Sequence, residues 1–241
     1  VARVLLQAWA ITVLLASAAS AQDISISLGD GASLSDRAVQ LVLLVTALSI
    51  LPGLVIMVTC FPFLVTVLSI LRQGIGLQSA PPNMLIVSLA MFLTFYIMEP
   101  VLLDAWRNGL SPFLEGAAPL EEALPAAIDP FRAFMEARVD PGTYAALSDL
   151  RPAPDPASDA PLPLATLVPS FLLSEIERAF QVGFLIFLPF LIIDLVVAAV
   201  LMSMGMMMVP PTVVALPFKL AFFVVADGWT LVAGALVESY R

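Results

Sequence analysis

The feature that most constrains this chain is the absence of charge over long distances: none from Ala38 to Ile70, none from Ala179 to Ile193, and none from Leu195 to Phe218. About twenty consecutive apolar residues suffice for a helix to cross the hydrocarbon of a bilayer. Inside lipid every backbone N–H and C=O must be bonded within the protein, so such runs fold as helices. With 61% hydrophobic and 12% charged residues and a mean hydropathy of +1.02, the chain belongs in lipid or in a large buried assembly. The expected fold class is all-α: an integral membrane protein of long kinked helices and helical hairpins.

The chain divides into five stretches. Residues 1–21 read as a signal peptide, with Arg3, an apolar stretch Val4 to Ala16 and the small-x-small pattern Ala19-Ser20-Ala21, which places cleavage between Ala21 and Gln22. Residues 22–37 are a polar, Gly/Ser-rich flexible lead-in on the periplasmic side. Residues 38–103 hold N-terminal apolar helices. Pro52-Gly53 and Pro62 interrupt the first of these, so one bent helix or a broken pair fits. A turn follows over Arg72 to Pro82, and the next apolar run, Asn83 to Met98, stops at Glu99-Pro100, short for a span. Residues 104–165 change character, with ten acids, four arginines and many prolines, and read as a water-facing insert containing an amphipathic helix from Pro130 to Leu150. Residues 166–241 return to apolar sequence. They suggest a hairpin turning at Pro210-Pro211, with arms over roughly 179–208 and 212–237.

The scarce positive charges orient this scheme. Arg72 and Lys219 lie near connections that face the cytoplasm if the mature chain starts outside. The insert then is a helical periplasmic domain.

Much chemistry is excluded. The chain has no histidine, which removes Ser-His-Asp and Cys-His arrangements and the usual zinc and haem ligand sets. Its one lysine, Lys219, has no serine placed to form a dyad, and Gly74-Ile75-Gly76 lacks the ending of a phosphate loop. No cofactor or metal is expected, and no catalytic site. A net charge of −9 without a basic cluster argues against nucleic acid. Cys60 has no partner cysteine and reads as a small core residue.

What remains is a set of intramembrane charges, Asp194, Lys219 and Asp227, and a run of methionines, Met202, Met204, Met206, Met207 and Met208. Each charge must face protein or water, either to pair across contacts or to carry ions. Counted outward from Pro210-Pro211, Asp194 and Asp227 each lie about 24 Å from the turn and Lys219 about 12 Å. The hairpin so drawn does not bring Lys219 level with either acid, so any salt bridge it makes is expected with another chain, or else it snorkels toward the turn side. Methionine is flexible and polarizable. A ring of such side chains can close a gap around irregular passengers, whereas a packed or lipid-facing stripe is the plainer reading.

Several motifs together resemble the FliP family. They are Phe187-Leu188-Pro189-Phe190-Leu191-Ile192-Ile193-Asp194, Met204-Gly205-Met206-Met207-Met208-Val209-Pro210-Pro211, Leu216-Pro217-Phe218-Lys219 and Asp227-Gly228-Trp229. Ser79-Ala80-Pro81-Pro82-Asn83, Phe92-Leu93-Thr94-Phe95, Glu99-Pro100 and, in the insert, Phe131-Arg132-Ala133-Phe134-Met135 add to them. The resemblance implies a pore-forming subunit of the flagellar type III protein export gate in the bacterial inner membrane, at the flagellar basal body. It implies a homopentamer joined by FliQ and FliR and by other export-apparatus subunits, in contact with membrane lipid, through which unfolded export substrates pass. It further implies that Met206, Met207 and Met208 form a gasket at the constriction, and that Phe134, Glu175 and Lys219 make subunit contacts. Kinks at Pro52, Pro62 and Pro189 would let the assembled helices rise above the membrane plane. Two other functions stay open: the paralogous subunit of a virulence injectisome, and a small secondary transporter using Asp194 and Lys219 as ion sites.

Overall fold

The computed structural model describes residues 34–77, 81–150, 162–206 and 208–240. The signal segment with its Ala21/Gln22 boundary, and Met207, lie outside the described residues. The chain separates into two units, 1–48 and 49–241. The described part of the first is helical, with Leu41, Val42, Leu43 and Leu48 all exposed. Every regular element among the described residues of the second is helical too.

In chain order the helices are α1 (Leu34–Met57), α2 (Phe61–Ile75) and α3 (Asn83–Ala105), then a π-helical turn, Trp106–Leu110. The insert supplies α4 (Ser111–Leu114), α5 (Leu120–Glu136) and α6 (Pro141–Asp149). The C-terminal region supplies α7 (Leu164–Ser203), α8 (Pro211–Val225) and α9 (Gly228–Glu238). Two continuous helical stretches, Asn83–Leu114 and Leu164–Ser203, are long and apolar enough to cross a membrane, and there are up to four such spans if each bent pair counts as one.

The core is built on α2. Phe63, Leu64, Val67, Leu68, Leu71 and Ile75 are buried and recur at the three-to-four-residue spacing that lines one helix face. That face lies against α7. Contact is close because Gly183 of α7 sits opposite Ile70, where a Cβ would come within 2.4 Å of Ile70 Cδ1. At the far end, the N–H of Gly76, with φ of 86°, donates to the Gln73 carbonyl at 3.0 Å and ends α2 in a left-handed cap.

The structure chooses between the two readings left open for the first uncharged run, and four further boundaries differ from those expected from the sequence. The uncharged run is a broken pair: α1 stops at Met57, and α2 restarts with Pro62 in its first turn, where a missing N–H costs nothing. Pro52 sits inside α1. The Asn83 run does not end at Pro100, which lies inside α3. Proline deletes one ladder bond, and Val101 and Leu102 beyond it still pack on the core. The single amphipathic helix of the insert is instead two, α5 and α6, because Asp140 is extended before Pro141 and caps a new start by accepting the Thr143 N–H at 2.7 Å. Finally, the first hairpin arm is the 40-residue α7, ending at Ser203 rather than 208. The second arm breaks between Val225 and Gly228, where α8 and α9 meet at 62°.

Candidate functional site

Met202 is in the last turn of α7, and the described residues that follow it, 204–206 and 208–210, form a connection and not a helix. At the end of α7 the Gly205 N–H donates to the Met202 carbonyl and the Met206 N–H to the Leu201 carbonyl, at 3.1 and 3.0 Å. This is the paired bonding of a Schellman cap, with Gly205 at φ of 75° supplying the left-handed residue. The cap satisfies the last carbonyls and turns the chain out of the helix before Pro210 and Pro211 begin α8. Met204 and Met206 are exposed, and Met208 is 98% exposed. Their thioethers are therefore held on a defined backbone yet pack against little of this chain.

Below the connection lies the tie between its arms. Lys219 Nζ on α8 donates to Asp194 Oδ2 on α7 at 2.6 Å and to the Gly74 carbonyl at the end of α2 at 3.1 Å. The interchain bridge expected for Lys219 is thus an intrachain one. The outward count was wrong because it assumed helix up to the double proline. With α7 ending at Ser203 and α8 starting at Pro211, Asp194 and Lys219 lie nine and eight residues from their helix ends, or about 13 and 12 Å. Lys219 is buried, and its charge also complements the exposed carbonyls and negative dipole end of α2. Asp194 Oδ1 is buried with no partner among the described residues. Asp227 stands apart. It sits in a left-handed conformation, φ 47°, at the α8–α9 break, and its Oδ1 accepts the Thr230 hydroxyl at 3.2 Å.

The second charged cluster lies where the insert meets α7. Glu175 is fully buried (0% exposed). Its Oε1 accepts from Arg138 Nε at 3.0 Å and Arg178 Nη1 at 3.3 Å, and its Oε2 from the Tyr240 hydroxyl. The Arg138 guanidinium lies 3.7 Å over the Tyr240 ring and also donates to the Ser239 carbonyl at 3.0 Å. Phe134 stacks on Tyr240 and meets Phe171 edge-on, and Phe63 closes the other side. Burial and the Glu175 carboxylate raise the Tyr240 hydroxyl far above the usual phenol range. Within the chain, then, Phe134 and Glu175 serve to join insert, α7 and the segment after α9. Sequence reading missed Arg138, Arg178 and Tyr240 as members of this cluster. The spacing Glu175-x-x-Arg178 is a readable helical pair, whereas nothing local marks Tyr240.

Fold and site together define a class: a membrane protein of helices in which the buried charges tie helices to one another, and where His, Cys, Asp and Glu nowhere gather into a metal-binding group among the described residues. The FliP family model matches residues 44–236. The flagellar biosynthetic protein FliP of Caulobacter vibrioides is 49% identical over 98% of this chain and 89% of its own length. The proteins of the same name from Bacillus subtilis (45%; 84% of this chain, 91% of that protein) and Aquifex aeolicus (39%; 96% and 99%) are similar throughout. The chain belongs to the FliP family, a family of flagellar biosynthesis and not of enzymes.

Proposed function

We propose that the chain is a pore-forming subunit of the flagellar type III export gate, assembling as a homopentamer with FliQ and FliR in the inner membrane and passing unfolded flagellar proteins. The observation that carries this reading is the capped connection presenting Met204, Met206 and Met208 away from the chain's own core. Flexible thioethers on a fixed backbone suit a seal that must yield to many different side chains. The apolar helices need cover as well, since only 11% of the most apolar window of α7 and 17% of that of the stretch Asn83–Leu114 is buried within the chain. Lipid and neighbouring subunits would supply it.

In this reading Met206, Met207 and Met208 form the gasket, the insert faces the periplasm, and Arg72 and Lys219 lie toward the cytoplasm. Phe134, Glu175 and Lys219 lie near contacts between copies. The transporter alternative loses ground because Asp194 and Lys219 neutralise each other. The names of the similar proteins favour the flagellum over an injectisome.

The test is to co-express the chain with its FliQ and FliR neighbours and weigh the complex by native mass spectrometry, then to replace Met206, Met207 and Met208 by Ala. The expected result is an intact complex with several copies of this chain that leaks small solutes when the methionines are truncated. An assembled triple variant with unchanged conductance overturns the gasket role.

A further inference from the structure

Asp194 and Lys219 stand nearly the same distance below the methionine connection, one on each arm, and are joined at 2.6 Å. Above this tie the arms meet poorly. An apolar cleft of about 420 Å³ runs beside Val197, Val200 and Leu201 of α7 and Val214 and Phe218 of α8. Pro217 removes a ladder bond from α8 within the same stretch. Few packed side chains therefore hold the tip of the hairpin closed, while the tie anchors both arms to the end of α2 through the Gly74 carbonyl. That anchor is itself set by close packing, because a Cβ at Gly74 would lie 2.9 Å from the Phe190 ring.

We propose that the Asp194–Lys219–Gly74 tie is a clamp that fixes the reach of the methionine connection, which makes Asp194 and Lys219 positioning residues for the gate. The consequence for gating rests on the export-gate reading above, but the clamp itself is a statement about this hairpin. Residues 204–206 and 208–213 are held in place by a charged bridge at the base of a loosely filled tip. Opening that bridge frees the connection while α2, the lower part of α7 and the insert keep their packing.

The experiment is hydrogen–deuterium exchange on the assembled complex, comparing Lys219→Met, Asp194→Asn and Lys219→Arg with the parent chain. Exchange of the amides of residues 204–209, 212 and 213 should rise about tenfold in Lys219→Met and in Asp194→Asn, with residues 132–149 unchanged, because the ease of local opening depends on the bonds and packing of the segment that opens. Lys219→Arg keeps the charge and should stay near the parent rate. Asp194→Asn preserves side-chain shape and leaves the bond from Lys219 to Gly74, so it decides the matter if Lys219→Met does not accumulate. No rise at 204–213, or an equal rise at 132–149, overturns the clamp. So does failure of both neutral variants to assemble, since the bridge would then be a requirement of the fold. The gate reading fails by a different result, an assembled and leak-free Met206/Met207/Met208→Ala complex, so the two failures are distinguishable.

Discussion

Glu175 and Asp194 are carboxylates on the same helix, α7, yet they work in different surroundings. Glu175 shares one oxygen between two arginines and gives the other to Tyr240, inside a shell of Phe63, Phe134 and Phe171. Among the described residues Asp194 has one cationic partner and a second oxygen without one, as Arg138 Nη2 is without one at the junction, and an apolar cleft lies beside it. A buried ion whose lone pairs are filled resists any movement of its partners, because each displacement strands a charge. One held by a single bond can let go at lower cost. The contrast teaches that this chain has a stiff junction between insert and helices and a compliant tip at the methionine connection.

Mutation can break that comparison. The largest effect is expected at the junction. Glu175→Ala leaves Arg138 buried without its counter-charge and should cost about 3–5 kcal/mol, read as a collapse of the thermal transition of the detergent-purified chain. Little change would mean that the junction is not stiff. Next comes Gly205→Ala at the tip, which forces a side chain into a left-handed backbone and should cost about 1–2 kcal/mol. The same melt measures it, and a loss equal to that of Glu175→Ala would erase the distinction between the regions.

The smallest effect concerns the capping of α6. The Thr143 N–H, which donates to Asp140, holds that carboxyl below its usual 3.8, with a lesser pull from Arg178. A lowered native value makes the cap's contribution complete above the unfolded value and loses it as pH falls through the native one. Asp140→Ala should thus lower the Tm slightly at neutral pH, and the difference should shrink as the pH falls from the unfolded carboxyl value through the lower native one. A difference that persists in acid would show that the side chain acts by packing.

Helical class and membrane character could be read from the chain because charge-free runs and the drive to bond every backbone group leave few other folds. The break before Phe61-Pro62 was half legible, since proline marks a first turn as readily as a kink. Pro100 and Pro217 misled or were silent, because surrounding helices stabilise a segment that proline alone would end. The partner of Lys219 was hidden by one residue: the left-handed Gly205 stops α7 well before the double proline and so moves Asp194 level with the lysine. The Glu175 cluster drew on Arg138 and Tyr240, whose association is tertiary and leaves no periodic trace.

The reach of Arg138 across 101 positions to Ser239 also imposes an order in time. While the chain emerges from the ribosome, Arg138 and Glu175 are made well before Tyr240, so the insert waits with an incomplete set of bonds. A nascent chain arrested before residue 239 should leave the insert open to protease, and release of the remainder should close it. If the arrested chain were already protected, the late residues would merely decorate a finished junction.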